Sequence, residues 1–268
     1  DSLEKKTVDA PGGVGLTYFV GGQGRVPIVI LNALGQGLHY WRPLVHELMR
    51  HHRVILWAPR GTDDSQSLFR LGDQVDDLEA ILRNEDVRTC HLCAWCTGPK
   101  VAVEFYARRP ESVTSMVFLM GAFKPFEGKS GLNTQYEQTL EPICQILARR
   151  PESAGSVISS LQASVTSNAP EGWEELEPEA LGATVLGMMS RELKSHVLAP
   201  FQDGTTVVRY ANQLIDFWSH AVEARASEVK VPVLFVGAEY DRIASPEMSR
   251  AVARRFADPD VAWDVGLV

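Results

Sequence analysis

No run of apolar residues in this chain approaches the ~20 that a membrane-spanning helix needs, and no stretch reads as a secretory signal. Positive charge is not in surplus either: 26 Lys and Arg stand against 34 Asp and Glu, a formal net charge of -8. A general nucleic-acid binder carries a basic patch, so nucleic acid is not an expected partner. The basic doublets that do occur are Arg108-Arg109, Arg149-Arg150 and Arg254-Arg255. They fall near expected helix ends, where cations favour the helix dipole. Cysteine is scarce, with 4 in 268 residues. That does not read as a disulfide scaffold, and free thiols suit a cytoplasmic location. The chain has no internal repeat and no low-complexity tract.

Three of the cysteines, Cys90, Cys93 and Cys96, are spaced C-x-x-C-x-x-C. That spacing invites a metal or cluster. A strand over 87–95 argues against it, because side chains then alternate and Cys90 and Cys93 face opposite sides of a sheet. Cys90 and Cys93 are read as buried thiols, with no metal and no cofactor expected.

What the chain does have is 45% hydrophobic residues, enough for one substantial core, and alternating strand and helix patterns. Strands are expected at 14–20, 26–32, 53–58, 87–95, 113–120, 231–237 and 260–265. Helices are expected at 72–83, where Val75, Leu78, Ile81 and Leu82 recur at helical spacing, and at 98–109 and 246–256. Apolar strands alternating with helices predict an α/β fold with a mostly parallel central sheet and helices on both faces. Sites in such sheets lie at the carboxyl ends of the strands. Residues 123–226 break the alternation with helix patterns at 134–149, 153–166, 178–197 and 204–225. They are expected to form an inserted helical cap, with 1–122 and 227–268 as the core. Met188, Met189, Phe201, Phe217 and Trp218 give the cap apolar side chains with which to line a pocket.

The sharpest local signal is Ala94-Trp95-Cys96-Thr97-Gly98, between an apolar run and a helical run. It places one thiol where a strand turns abruptly into a helix, with Pro99 fitting the first helical turn. This is the position of a nucleophile elbow, G-x-S-x-G, with Cys for Ser and Ala94 for the first glycine. The following helix aims free N–H groups and its positive end at the thiol, which favours a thiolate and a developing oxyanion.

Over nearly its whole length the chain resembles the α/β-hydrolase family. The resemblance rests on the elbow, on residues 31–41 (LNALGQGLHYW), on 60–65 (RGTDDS) and on 231–246 (VPVLFVGAEYDRIASP). It implies an α/β-hydrolase fold. It also implies that Asp241 is the catalytic acid and that the N–H groups of Leu34 and Thr97 form the oxyanion hole. Asn32-Ala33 stands where the family commonly has His-Gly, and Asp63 replaces a glycine. The family's histidine follows the last strand, and His39, His46, His51, His52, His91, His196 and His220 all lie elsewhere. The base is therefore expected past Val268, the alternative being a protein without one.

A thiol nucleophile makes an acyl-thioester that water, an amine, an alcohol or another thiol can capture. The expected function is acyl transfer through Cys96, as in a thioesterase, acyltransferase or cyclase. The substrate is a small ester or thioester, free or borne by a carrier protein. Trp95, His39, Met188 and Trp218 are candidate substrate contacts. The alternatives are a non-catalytic ligand receptor or scaffold of the same fold, and an ordinary ester or carbon–carbon bond hydrolase.

Overall fold

The computed structural model of the chain describes residues 3–60, 69–165, 198–239 and 241–257. Its sheet begins with an antiparallel hairpin, β1 (Glu4–Ala10) and β2 (Val14–Gly21). Then come β3 (Ile28–Leu31), β4 (Val54–Trp57), β5 (Cys90–Trp95), β6 (Val113–Leu119) and β7 (Val233–Val236). The strands lie in the order β1-β2-β4-β3-β5-β6-β7, and every pairing from β4 onward is parallel. Chain order reverses at β3, which has β4 on one side and β5 on the other. The crevice at such a switch point, past the strand ends, is where open α/β sheets hold ligands.

The central strands are buried on both faces, which is why they read as apolar runs and not as alternating ones. On β5, Cys90, Leu92 and Ala94 join a large core shared with α2 (Leu71–Asn84) and α3 (Gly98–Arg108). Cys93 faces the opposite cluster, with Trp41 and with Val45 of α1 (Arg42–Leu48). Cys90 and Cys93 thus lie on opposite faces and cannot chelate one ion. Phe118 of β6 and Phe235 of β7 meet edge to face at 5.2 Å in the large core, an arrangement worth about 0.5–1.5 kcal/mol beyond burial.

Within 123–226 the described helices are α4 (Gln135–Arg149), α5 (Ala154–Val165), α6 (Gly204–Trp218) and α7 (Glu223–Ala226), and α8 (Pro246–Ala253) follows β7. Leu140, Cys144 and Leu147 of α4, and Val207, Ala211 and Leu214 of α6, are buried in the same core as Phe118 and Phe235. The single helix expected over 204–225 is two. It stops at Trp218, where the Ser219 hydroxyl donates back to the Asp216 carbonyl at 2.6 Å and competes with helical continuation. Strand β1 is an addition to the expected list. Its sequence EKKTVDA is mostly solvent-facing and carries little of the apolar pattern that marks the central strands. The helix expected at 178–197 and the strand at 260–265 lie outside the described residues.

Candidate active site

Between the end of β5 at Trp95 and the start of α3 at Gly98 the chain must reverse within two residues. Cys96 takes φ +54 to do so. A left-handed conformation costs a non-glycine residue of order 1–3 kcal/mol and persists only where the surroundings impose it. Here the Cys96 N–H donates to the Leu119 carbonyl at 3.0 Å, and the Cys96 carbonyl accepts from Ala122 N–H at 2.7 Å. The end of β6 and its following loop therefore clamp the turn on both sides. Gly98 lets α3 start against β3, since a Cβ there would stand 2.5 Å from the Leu31 carbonyl oxygen. The result is a half-buried cysteine lifted off the sheet at the switch point.

The thiol's electrostatics run opposite to the sequence expectation. Burial, the Asp241 carboxylate and, less strongly, the Glu137 carboxylate push Cys96 up to about 12, against a lowering by the Thr97 N–H. One helix N-terminus does not outweigh desolvation beside two acidic groups. These influences favour a neutral thiol over a standing thiolate at Cys96. Alkylation of Cys96 by iodoacetamide should therefore keep accelerating from pH 7 to pH 10. A plateau below pH 8.5, followed by mass spectrometry of the Cys96 peptide, would show a stabilised thiolate instead.

Residues 32–37, after β3, form the loop that faces the elbow. Asn32 stands where His was expected and is buried. Its Nδ2 donates to the Gln36 carbonyl, and its Oδ1 accepts from Trp41 Nε1 at 2.8 Å. One amide side chain thus braces the loop at both ends. The loop closes as a turn in which Gln36 N–H donates to the Ala33 carbonyl and Gly35, at φ +72, takes the third position. Leu34 is the second residue of that turn. Its N–H, expected to face the oxyanion, donates to the Thr97 hydroxyl oxygen at 2.9 Å. Pro200 and Tyr210 lie directly over Gly35, where a Cβ would come within 2.7 Å of Pro200 and 2.9 Å of Tyr210.

Asp241 follows β7. Its Oδ1 accepts from Ile243 N–H at 2.8 Å and Ala244 N–H at 3.0 Å, which fixes the carboxylate. Burial nonetheless raises its pKa, against those two bonds. Both expected reactive groups, Cys96 and Asp241, therefore share one edge of the sheet and one electrostatic environment. Three further residues face the same space without any signal in the sequence. Glu137 is buried, interacts with both Cys96 and Asp241, and its pKa is raised by burial. Tyr136 of α4 and Tyr210 of α6 pair through their hydroxyls beside Cys96, and burial pushes both phenols up. Only the fold brings α4 and α6 together over the elbow.

The other candidates are placed as follows. Trp95 is half-buried against Tyr40 and Trp41, at ring separations of 5.4 and 6.1 Å. The His39 ring lies 4.1 Å from that of Tyr40. Trp218 carries the buried Lys124 ammonium 4.6 Å above its ring. Met188, Met189 and the stretch 61–65 lie outside the described residues. No group of three His, Cys, Asp or Glu converges among the described residues, and no described helix is long and apolar enough to cross a membrane.

Comparison with known proteins gives a consistent picture. The model of the alpha/beta hydrolase fold family matches residues 26–262. A protein of Azorhizobium caulinodans named a carbamate hydrolase, RutD, is 22% identical over 94% of this chain and 86% of its own length. The enol-lactonase from Burkholderia xenovorans LB400 superposes with a TM-score of 0.69 at 18% identity, over 97% of this chain and 91% of that one. A thermophilic esterase from Thermogutta terrifontis gives 0.67 at 16% identity, over 99% and 90%. At these identities the two structures speak for the fold alone.

Proposed function

The chain belongs to the alpha/beta hydrolase family, and on that footing we propose that it hydrolyses a small ester-type carbonyl substrate, ester, lactone or carbamate, through a covalent acyl-Cys96 intermediate. The observation that carries the reading is Cys96 at φ +54 on the strand-to-helix turn, across the site from Asp241. A left-handed non-glycine residue at the switch point, with an acidic group beside it, is the arrangement that a nucleophile elbow requires.

The proposed chemistry balances in two halves. Cys96 Sγ bonds to the carbonyl carbon while its proton passes to a histidine base, the role Asp241 would orient. The tetrahedral oxyanion collapses and expels the alcohol or amine, which takes the proton. Water then attacks the thioester, releasing the acid and restoring the thiol. The segment 123–226 is proposed as the cap over this reaction, with Tyr136 and Tyr210 offering phenols to the substrate's polar groups. Water is favoured as the acceptor over an amine or second thiol because the relative from Azorhizobium caulinodans is named a carbamate hydrolase. The thiol's identity keeps transfer open as a second reading, since an acyl-thioester is intrinsically prone to capture.

The test is intact-protein mass after brief mixing with panels of phenyl esters, lactones, carbamates and acyl thioesters, with release of acid followed in parallel. The expected result is a transient adduct on Cys96 that decays to free acid at a rate insensitive to added amine. Decay that tracks amine or thiol concentration would move the assignment to acyl transfer. Absence of any adduct or turnover across the panel would instead favour a receptor built on this fold.

A further inference from the structure

The family resemblance implies an oxyanion hole of two backbone donors, Leu34 N–H and Thr97 N–H. Leu34 N–H points at the Thr97 hydroxyl oxygen at 2.9 Å, with both groups buried. The hydroxyl therefore occupies the place along that N–H axis where an oxyanion would have to sit. Thr97 has helical backbone angles, φ -79 and ψ -16, and its side chain makes no capping bond to α3. Its hydroxyl is thus committed to Leu34 as an acceptor and keeps one proton to donate. Its own N–H faces the Cys96 sulfur.

We propose that the Thr97 side chain is a catalytic donor: its hydroxyl accepts the Leu34 N–H and passes its own O–H to the oxyanion, beside the Thr97 N–H. The inference rests on the Cys96 reading above. A hydroxyl that already accepts a hydrogen bond is polarised into a better donor, so the Leu34 N–H acts at one remove. The alternative arrangement, in which Leu34 donates directly, requires Thr97 to swing away and to find another partner for a buried hydroxyl. The relay also sets a geometric demand. The oxyanion sits about one O–H···O distance, roughly 2.7 Å, beyond the hydroxyl oxygen. Leu34 N–H cannot reach it when the hydroxyl is removed.

The experiment uses an alkyl trifluoromethyl ketone, to which a thiol adds to give a tetrahedral thiohemiketal oxyanion. Iodoacetamide serves as control, because its displacement of iodide places no charge on a carbonyl oxygen. With Thr97→Ala, ketone affinity and kcat are expected to fall tenfold to a hundredfold, while the alkylation rate of Cys96 stays within twofold. Thr97→Ser should restore ketone affinity to within threefold of the parent. Equal or tighter ketone binding by Thr97→Ala would overturn the relay, because the hydroxyl would then be a bystander or a plug. Amide NMR spectra of the unsubstituted protein give a readout independent of variant folding. Ketone binding should shift the Thr97 N–H strongly and leave the Leu34 N–H near its free position. Comparable downfield shifts of both would show direct donation by Leu34 and sink the proposal. A parent protein that Cys96 alkylation inactivates but that forms no thiohemiketal would remove the oxyanion role. A parent protein indifferent to Cys96 alkylation would remove the nucleophile assignment itself.

Discussion

Replacing Cys96 with alanine is expected to abolish the acyl adduct and to lower kcat by about 10⁴-fold or more, with the melting temperature unchanged within a few degrees. The size follows from what a nucleophile does in a covalent mechanism, since losing the attacking atom leaves only binding and oxyanion stabilisation to act on direct attack by water. Stability should barely move, because alanine removes a single sulfur atom from a half-buried residue. The left-handed backbone stays clamped by Leu119 and Ala122. Cys96→Ser is the sharper comparison. A serine hydroxyl is harder to ionise than a thiol, so activity should also fall steeply, while the adduct, once formed, becomes an ordinary ester that survives longer. Retention of full hydrolysis by Cys96→Ala, checked by initial rates on the best panel substrate, would remove the covalent reading altogether.

The second large effect is expected two residues on. Gly98→Ala places a methyl group 2.5 Å from the Leu31 carbonyl oxygen and 3.2 Å from its carbon. Both are backbone atoms of β3, so no side-chain rotation relieves the clash, and α3 must move off the sheet. Overpacking of this kind costs about 1–3 kcal/mol, seen as a drop of about 2–4 °C in melting temperature per kcal/mol for a domain of this size. The functional loss should exceed the stability loss, because a displacement of about 1 Å at the reacting group can cost 10²-fold in rate. Thermal unfolding and steady-state kinetics on one preparation separate the two. A variant as stable and as active as the parent would mean that the tight helix–sheet approach has no part in setting the elbow.

Much of this arrangement is legible along the chain, for identifiable reasons. The parallel strands announce themselves because burial on both faces makes them continuous apolar runs, and the elbow because only a few residue types suit a reversal within two positions. Asp241 is singled out by the resemblance of residues 231–246 to the family's acid-bearing segment. Strand β1 is harder to see, since an edge hairpin with a wet face carries charge where a central strand carries valine. The break after Trp218 depends on one serine hydroxyl. Glu137, Tyr136 and Tyr210 are illegible for a deeper reason. Each is an ordinary residue on an ordinary amphipathic helix, and only tertiary packing brings them to Cys96. The protonation state of the thiol fails for the same reason, because helix direction is local information and desolvation is not.

One feature of α4 and α6 bears on how this protein can be altered by recombination. Thr134, at the head of α4, donates its hydroxyl to the Ile243 carbonyl in the loop that carries Asp241. Asp216 of α6 accepts the Leu71 N–H at the start of α2, and Gln213 donates to the Arg60 carbonyl. These bonds satisfy backbone groups of the central sheet's own connections with side chains from the 123–226 segment. That segment is therefore not an exchangeable cassette. A chimera carrying a foreign insertion between β6 and β7 would inherit an acid loop and a helix start with their partners missing. Compatible donors are those that bring a hydroxyl, a carboxylate and an amide to the same three places.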